Sequence, residues 1–125
     1  MQMPVKPLTE AELRLAELIW DAQPLPSGEL VRRCEEAFGW KKSTTYTMLK
    51  KLCSCGVARN EEAVVTARMS REEYHRRQGE AVIQEGFEGS LPRFLTAFMR
   101  GRGLSRREAA ELKALIDRWE EAGDE

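Results

Sequence analysis

The chain has 125 residues and a nearly balanced charge, with 20 Lys and Arg against 21 Asp and Glu, a formal net charge of -1. That length suits one compact domain or a small domain with a helical extension, and the charge balance alone neither demands nor excludes nucleic acid as a partner. One histidine and three cysteines are a thin supply for a metal centre or acid–base catalysis. No apolar run approaches the length of a membrane span, and the N-terminus lacks the apolar core of a signal peptide, so the expected compartment is the cytoplasm, with reduced thiols.

The first predicted helix opens at Thr9, an N-cap residue with Glu12 three positions on, which is the capping-box spacing. Leu8 and Leu13 occupy the positions of a hydrophobic staple, and Leu15, Leu18, Ile19 and Trp20 continue the apolar side. Gln23-Pro24-Leu25-Pro26 cannot prolong a helix and reads as a turn. Ser27 is the expected cap of a second helix, with Leu30, Val31, Cys34, Ala37 and Phe38 on one face and Gly39 as its stop. Ser43 is expected to open a third helix with Thr45, Leu49 and Leu52 on one face, ended by Gly56.

A β-like pair follows, over about 57–60 and 63–69, with Glu61-Glu62 at the turn. Ser70 and Glu73 repeat the capping-box spacing and start a fourth helix that should end near Gln84, and Gly86 and Gly89 bracket a break. A fifth helix begins near Ser90, tolerates Pro92 in its first turn, and ends at Gly101-Arg102-Gly103. Ser105 with Glu108 caps a sixth, and residues 120–125 are expected to fray. The chain contains no internal repeat and no low-complexity segment.

Three helices, a hairpin and three more helices imply a mainly α protein. Residues 1–69 would form a winged helix-turn-helix domain of three helices and a two-stranded wing, and residues 70–125 a helical dimerisation region. The charges are polarised: residues 30–59 hold seven basic side chains against two acidic, and residues 106–125 hold four against seven, a pattern given by a DNA-binding segment and equally by an ordinary protein with a solvated acidic tail. In such a domain the third helix enters the major groove while the second crosses the backbone.

The outward face of the third helix offers Ser43, Thr44, Tyr46, Thr47, Lys50 and Lys51, with Lys41 and Lys42 just ahead of it. Hydroxyls near a helix N-terminus bond phosphates or base edges, and lysines on both sides neutralise phosphate. Tyr46 could reach a sugar or base, or equally pack on the helix shoulder. Arg32 could hold phosphate as the second helix crosses the backbone, or merely be solvated. Arg59 and Arg68 are the wing's basic residues, and the acidic tip Glu61-Glu62 would be repelled by phosphate.

Leu91, Phe94, Leu95, Phe98 and Met99 on the fifth helix form one apolar stripe, and Ala109, Leu112, Leu115, Ile116 and Trp119 on the sixth form another. A ligand pocket is one reading of the first stripe. Helix packing or a dimer seam is favoured, and since so short a chain has little of its own to bury both stripes against, a second subunit is the natural cover. Cys53 and Cys55 diverge around a helix and cannot easily share a metal, and no metal or cofactor is expected; Cys34 could meet Cys53 in the core as packed thiols. His75 reads as a surface residue.

Several stretches in the right order carry a family resemblance: Leu8-Thr9 with Glu12, Leu18-Ile19-Trp20, the run from Trp40 to Leu52 with Gly56, Ser70-Arg71-Glu72-Glu73-Tyr74, Phe87-Glu88-Gly89-Ser90, and Leu104-Ser105. Together they resemble the penicillinase-repressor family, which includes the methicillin-resistance and copper-transport repressors. The resemblance implies a winged-helix repressor that binds double-stranded DNA at a palindromic operator as a homodimer made by its C-terminal helices. It also implies a regulatory protease as a partner in β-lactam-responsive members, cutting between Asn and Phe in the fifth helix. That bond falls at Ala97-Phe98, where the phenylalanine is present and the asparagine is not. The cysteine-rich tail motif of copper-responsive members has no counterpart. A winged-helix adaptor for proteins is the alternative that the acidic wing tip and near-neutral charge leave open. An enzyme is disfavoured by the single histidine and by the lack of a glycine-rich phosphate loop.

Overall fold

The computed structural model describes residues 7–123. The elements run α1 (Glu10–Ala22), β1 (Leu25–Pro26), α2 (Ser27–Phe38), α3 (Lys42–Ser54), β2 (Ala58–Glu61), β3 (Val64–Ala67), α4 (Arg71–Phe87), α5 (Leu91–Arg102) and α6 (Arg106–Gly123). They form two compact units, one ending at Val82 and one beginning at Ile83.

In the first unit the capping box of α1 closes in both directions. The Thr9 hydroxyl accepts from the Glu12 backbone N–H at 3.2 Å, and the Glu12 carboxylate accepts from the Thr9 N–H at 2.9 Å. Leu15, Ala16 and Ile19 of α1 meet Leu30 and Cys34 of α2 and Leu49 and Leu52 of α3 in one core, closed by Leu25, Val57, Ala58 and Val65 from the sheet. Gly39, in the left-handed region at φ 72°, ends α2 and donates to the Glu35 carbonyl at 2.9 Å, a conformation that glycine adopts without a Cβ clash.

The wing departs from expectation in two ways. The sheet has three strands in the order β1-β3-β2, all antiparallel, because Leu25 and Pro26 pair with Val65 and Val64. The Pro-rich segment read as a turn is therefore a short edge strand, where the missing N–H of Pro26 is tolerated. The hairpin turn is Glu62-Ala63 rather than Glu61-Glu62, since Glu61 pairs with Val64. Both turn residues have positive φ, 51° and 63°, as a two-residue turn matching the strand twist demands.

Helix ends differ too. Ser27 does not cap α2; Pro26 occupies that position, and Ser27 is buried in the first turn. α3 begins one residue earlier than expected, at Lys42. α4 continues through Gly86 to Phe87, and α6 remains helical to Gly123 instead of fraying from residue 120, while residues 124–125 lie outside the described residues.

The start of α4 belongs to the first unit. The Tyr74 hydroxyl accepts from the Leu8 N–H at 3.0 Å, and the Trp20 indole N–H donates to the Met69 carbonyl at 2.9 Å. Arg71 lies over the Trp20 ring and binds Glu17 and Asp21 of α1. The compact units divide within α4, after Val82. Farther along α4, hydrogen bonds from Arg76 and Arg77 pull the Glu73 carboxyl down to about 2.

In the second unit, Ser90 caps α5 by accepting from the Arg93 N–H at 3.2 Å. Ser105 and Glu108 form the reciprocal bonds of a capping box at the start of α6. Phe94 meets Phe87 edge-on and stacks with Phe98.

Candidate nucleic-acid interface

α3 divides its residues by period. Thr45, Leu49 and Leu52 face the core, while Ser43, Thr47 and Lys50, at the same spacing two positions away, lie exposed. Ser43 to Lys50 is about two helical turns, or about 10 Å, a length that fits within a major groove about 12 Å wide. Lys51 extends the exposed face at its C-terminal end, and Lys41 and Lys42 stand exposed at its N-terminal end. Among the described residues none of these four lysines has a carboxylate in ion-pair range.

The start of α3 is chemically open. Its N-cap is Lys41, with no side-chain hydrogen bond to the first turn. The first backbone N–H groups of a helix have no intrahelical acceptor, and with the positive end of the helix dipole they attract anions. Residues 39–41, held by the αL Gly39 and by packing of the Phe38 and Trp40 rings at 4.9 Å, make the tight turn that sets α3 against α2.

The other expected contact residues are placed differently. Tyr46 is half-buried against the core and its hydroxyl donates to Ser27 Oγ at 3.2 Å, so it packs on the shoulder between α2 and α3. Thr44 is half-buried as well. Arg32 is engaged by Glu29 and Glu36, and Arg59 lies 3.7 Å from Glu61. Arg68 is exposed beside the base of the hairpin, its N–H donating to the Val57 carbonyl at 2.8 Å. The pairing of Arg32 was open to sequence reasoning, since Glu29 and Glu36 stand at i−3 and i+4, the spacing at which helical side chains meet.

The cysteines do not gather. Cys34 is buried beside Thr45, with burial pushing its thiol up and the Thr45 hydroxyl partly offsetting this; burial also raises Cys53. Cys55 is exposed and donates to the Leu52 carbonyl at 3.5 Å. Among the described residues no cluster of three His, Cys, Asp or Glu could hold a metal, and no helix is long and apolar enough to cross a membrane. His75 is exposed, with its ring against Tyr74.

On the second unit, Leu91, Phe98, Met99, Leu115, Ile116 and Trp119 are exposed, while Phe94, Leu95 and Leu112 are half-buried. Ala97 is exposed within α5 next to Phe98, whose ring also lies under Arg102.

A three-helix core, a small antiparallel sheet with a hairpin wing, and a third helix that presents hydroxyls and unpaired lysines define a winged helix-turn-helix DNA-binding protein. The penicillinase repressor family model matches residues 8–118, and the chain belongs to that family of DNA-binding transcriptional repressors. Among solved structures, the monomeric form of Bacillus licheniformis BlaI, determined in solution in complex with the blaP half-operator, is similar to it. That chain is 23% identical with a TM-score of 0.48, over 56% of this chain and 90% of that one. A comparison with curated proteins found no match.

Proposed function

We propose that this repressor acts in the cytoplasm as a homodimer on a pseudo-palindromic operator, with residues 1–69 reading DNA and residues 70–125 forming the dimer. The observation that carries the DNA half is the exposed Ser43, Thr47 and Lys50 stripe on α3, flanked by Lys41, Lys42 and Lys51. In this reading Ser43 and Thr47 meet base edges, with Thr44 at their flank, and the lysines neutralise phosphate. Arg68 supplies a further phosphate contact at the wing base. The acidic tip, and Arg59 with its own carboxylate, leave the rest of the wing a minor contributor.

The apolar stripes of α5 and α6 support the dimer half. Exposed aromatic and aliphatic side chains on two consecutive helices are the kind of surface a second subunit buries. A dimer places two α3 helices on one face of the duplex, about one helical turn apart. A regulatory protease cutting at Ala97-Phe98 would meet alanine in place of the asparagine it reads in β-lactam-responsive members, which counts against release by that route.

Selection of random duplex DNA by the purified protein tests this reading. Enrichment of a palindrome with half-sites about one turn apart is the expected result. Recovery of single half-sites would overturn the dimer, and no enrichment at about 150 mM salt would overturn sequence-specific reading.

A further inference from the structure

We propose that Glu29 is an affinity-setting residue that stands in for a DNA phosphate, holding Arg32 by its Nε and Nη2 and Arg33 by its Nε, so that Arg32 must exchange a carboxylate for a phosphate when the protein binds and the charge of Arg33 is partly offset until it does. The inference rests on the reading that α2 crosses the phosphate backbone. Glu29 Oε1 accepts from Arg32 Nε at 3.1 Å, and Glu29 Oε2 accepts from Arg33 Nε at 3.0 Å and from Arg32 Nη2. Glu36 Oε2 takes Arg32 Nη1 at 3.0 Å. One carboxylate thus bridges two guanidinium groups, and three donors of Arg32 are occupied.

The guanidinium fork fits carboxylate and phosphate by the same parallel geometry, so Glu29 occupies the Nε and Nη2 edge of Arg32 that a phosphate would need, while on Arg33 it takes Nε alone. The hydrogen bonds from Arg32 and Arg33 hold the Glu29 carboxyl below the usual carboxylate range, so it stays charged at neutral pH. The wing repeats the pattern more loosely, with Arg59 beside Glu61. The lysines of α3 have no such partner. The arrangement leaves the sequence-independent attraction to duplex DNA concentrated on α3, while the basic residues of α2 are neutralised until a phosphate displaces Glu29.

The test is binding of a fluorescein-labelled mixed-sequence duplex of about 30 base pairs, followed by anisotropy across a range of salt. Glu29→Gln is expected to bind about three- to tenfold tighter at low salt, with the slope of log K against log salt steepened by about one as the Nε and Nη2 edge of Arg32 is freed, Glu36 still holding its Nη1. Glu35→Gln removes the same charge from the same helix, but among the described residues Arg32 and Arg33 pair with Glu29 and Glu36 and not with Glu35, and it should bind as the unaltered protein does. Adding Arg32→Gln and Arg33→Gln to Glu29→Gln should remove the gain. An unchanged or weakened Glu29→Gln, with far-ultraviolet circular dichroism unaltered, would overturn the proposal, as would an equal gain from Glu35→Gln. Failure of the unaltered protein to bind the duplex at low salt would overturn the DNA reading itself, and this inference with it.

Discussion

Leu15, Leu30, Leu52 and Val65 in the unit up to Val82 are fully buried, whereas Leu91, Ile116 and Trp119 in the unit from Ile83 onward stand 52%, 54% and 70% exposed. Both regions are built from amphipathic helices with good caps: α1 and α6 each begin with a reciprocal Ser/Thr–Glu box. What separates them is what lies opposite the apolar side. The first unit folds three helices onto a sheet and encloses its stripe. Among the described side chains, neither α5 nor α6 contains one fully buried residue. Helical periodicity therefore reports that a face will be covered, not which chain covers it. In the first unit the cover is intramolecular; for the second the proposed cover is another copy.

The largest expected effect comes from turning the open stripe into a charged one. Leu112→Glu with Ile116→Glu should give a monomer in sedimentation equilibrium and weaken operator binding at least about a hundredfold, because the two half-sites lose their linkage. A dimer surviving both changes would break the contrast between the units and require another seam. Next comes a truncation in the enclosed core. Leu30 has no exposed surface, and Leu30→Ala should cost about 2–5 kcal/mol in urea unfolding of the first unit while leaving dimerisation intact. A loss of well under 1 kcal/mol would mean that this core relaxes around the gap as a loosely packed surface does.

Much of this contrast is legible in sequence, and its failures have physical causes. The capping boxes at Thr9 and Ser105 are local, since each depends on residues three apart, and both were readable. So was the inward face Thr45, Leu49 and Leu52. The β1 strand was not, because two residues pair with Val64 and Val65 some 40 positions away and nothing local announces it. Ser27 illustrates a second limit. A serine after Pro reads as a cap, yet here its N–H donates to the Ala63 carbonyl and its hydroxyl accepts from Tyr46, so tertiary partners use both groups. The residue types on the α3 face were readable. Which of the basic residues are unpaired was not resolved by composition, in which Arg32 and the lysines count alike; the i−3 and i+4 spacing of Glu29 and Glu36 about Arg32 was the signal that separates them.

Two smaller effects lie within the first unit. Trp20→Phe keeps an aromatic ring under Arg71 but leaves the Met69 carbonyl without its indole donor. Loosening of the α1–α4 contact should lower the stability of the first unit by about 1–2 kcal/mol. Hydrogen exchange should quicken in the first turns of α4 before it does in α2 or α3. Uniform quickening would mean that the start of α4 is not a separable attachment.

The smallest effect is a gain, at the wing tip. Ala63 sits at φ 63°, where its Cβ crowds the backbone at a cost of about 1 kcal/mol or more. Ala63→Gly removes that crowding but gives the unfolded chain more freedom, which returns about 0.5–1 kcal/mol. The net gain should be about 0.5 kcal/mol, read as a raised urea midpoint with an unchanged slope. The Ala63 carbonyl that accepts from Ser27 is retained in the variant, so the anchorage of the hairpin to α2 survives. Because the tip carries Glu61 and Glu62 and contributes no phosphate contact in this reading, duplex binding should not change with the gain. Stability and binding rising together would place the wing tip against the DNA backbone after all, and would shift weight from α3 to the hairpin.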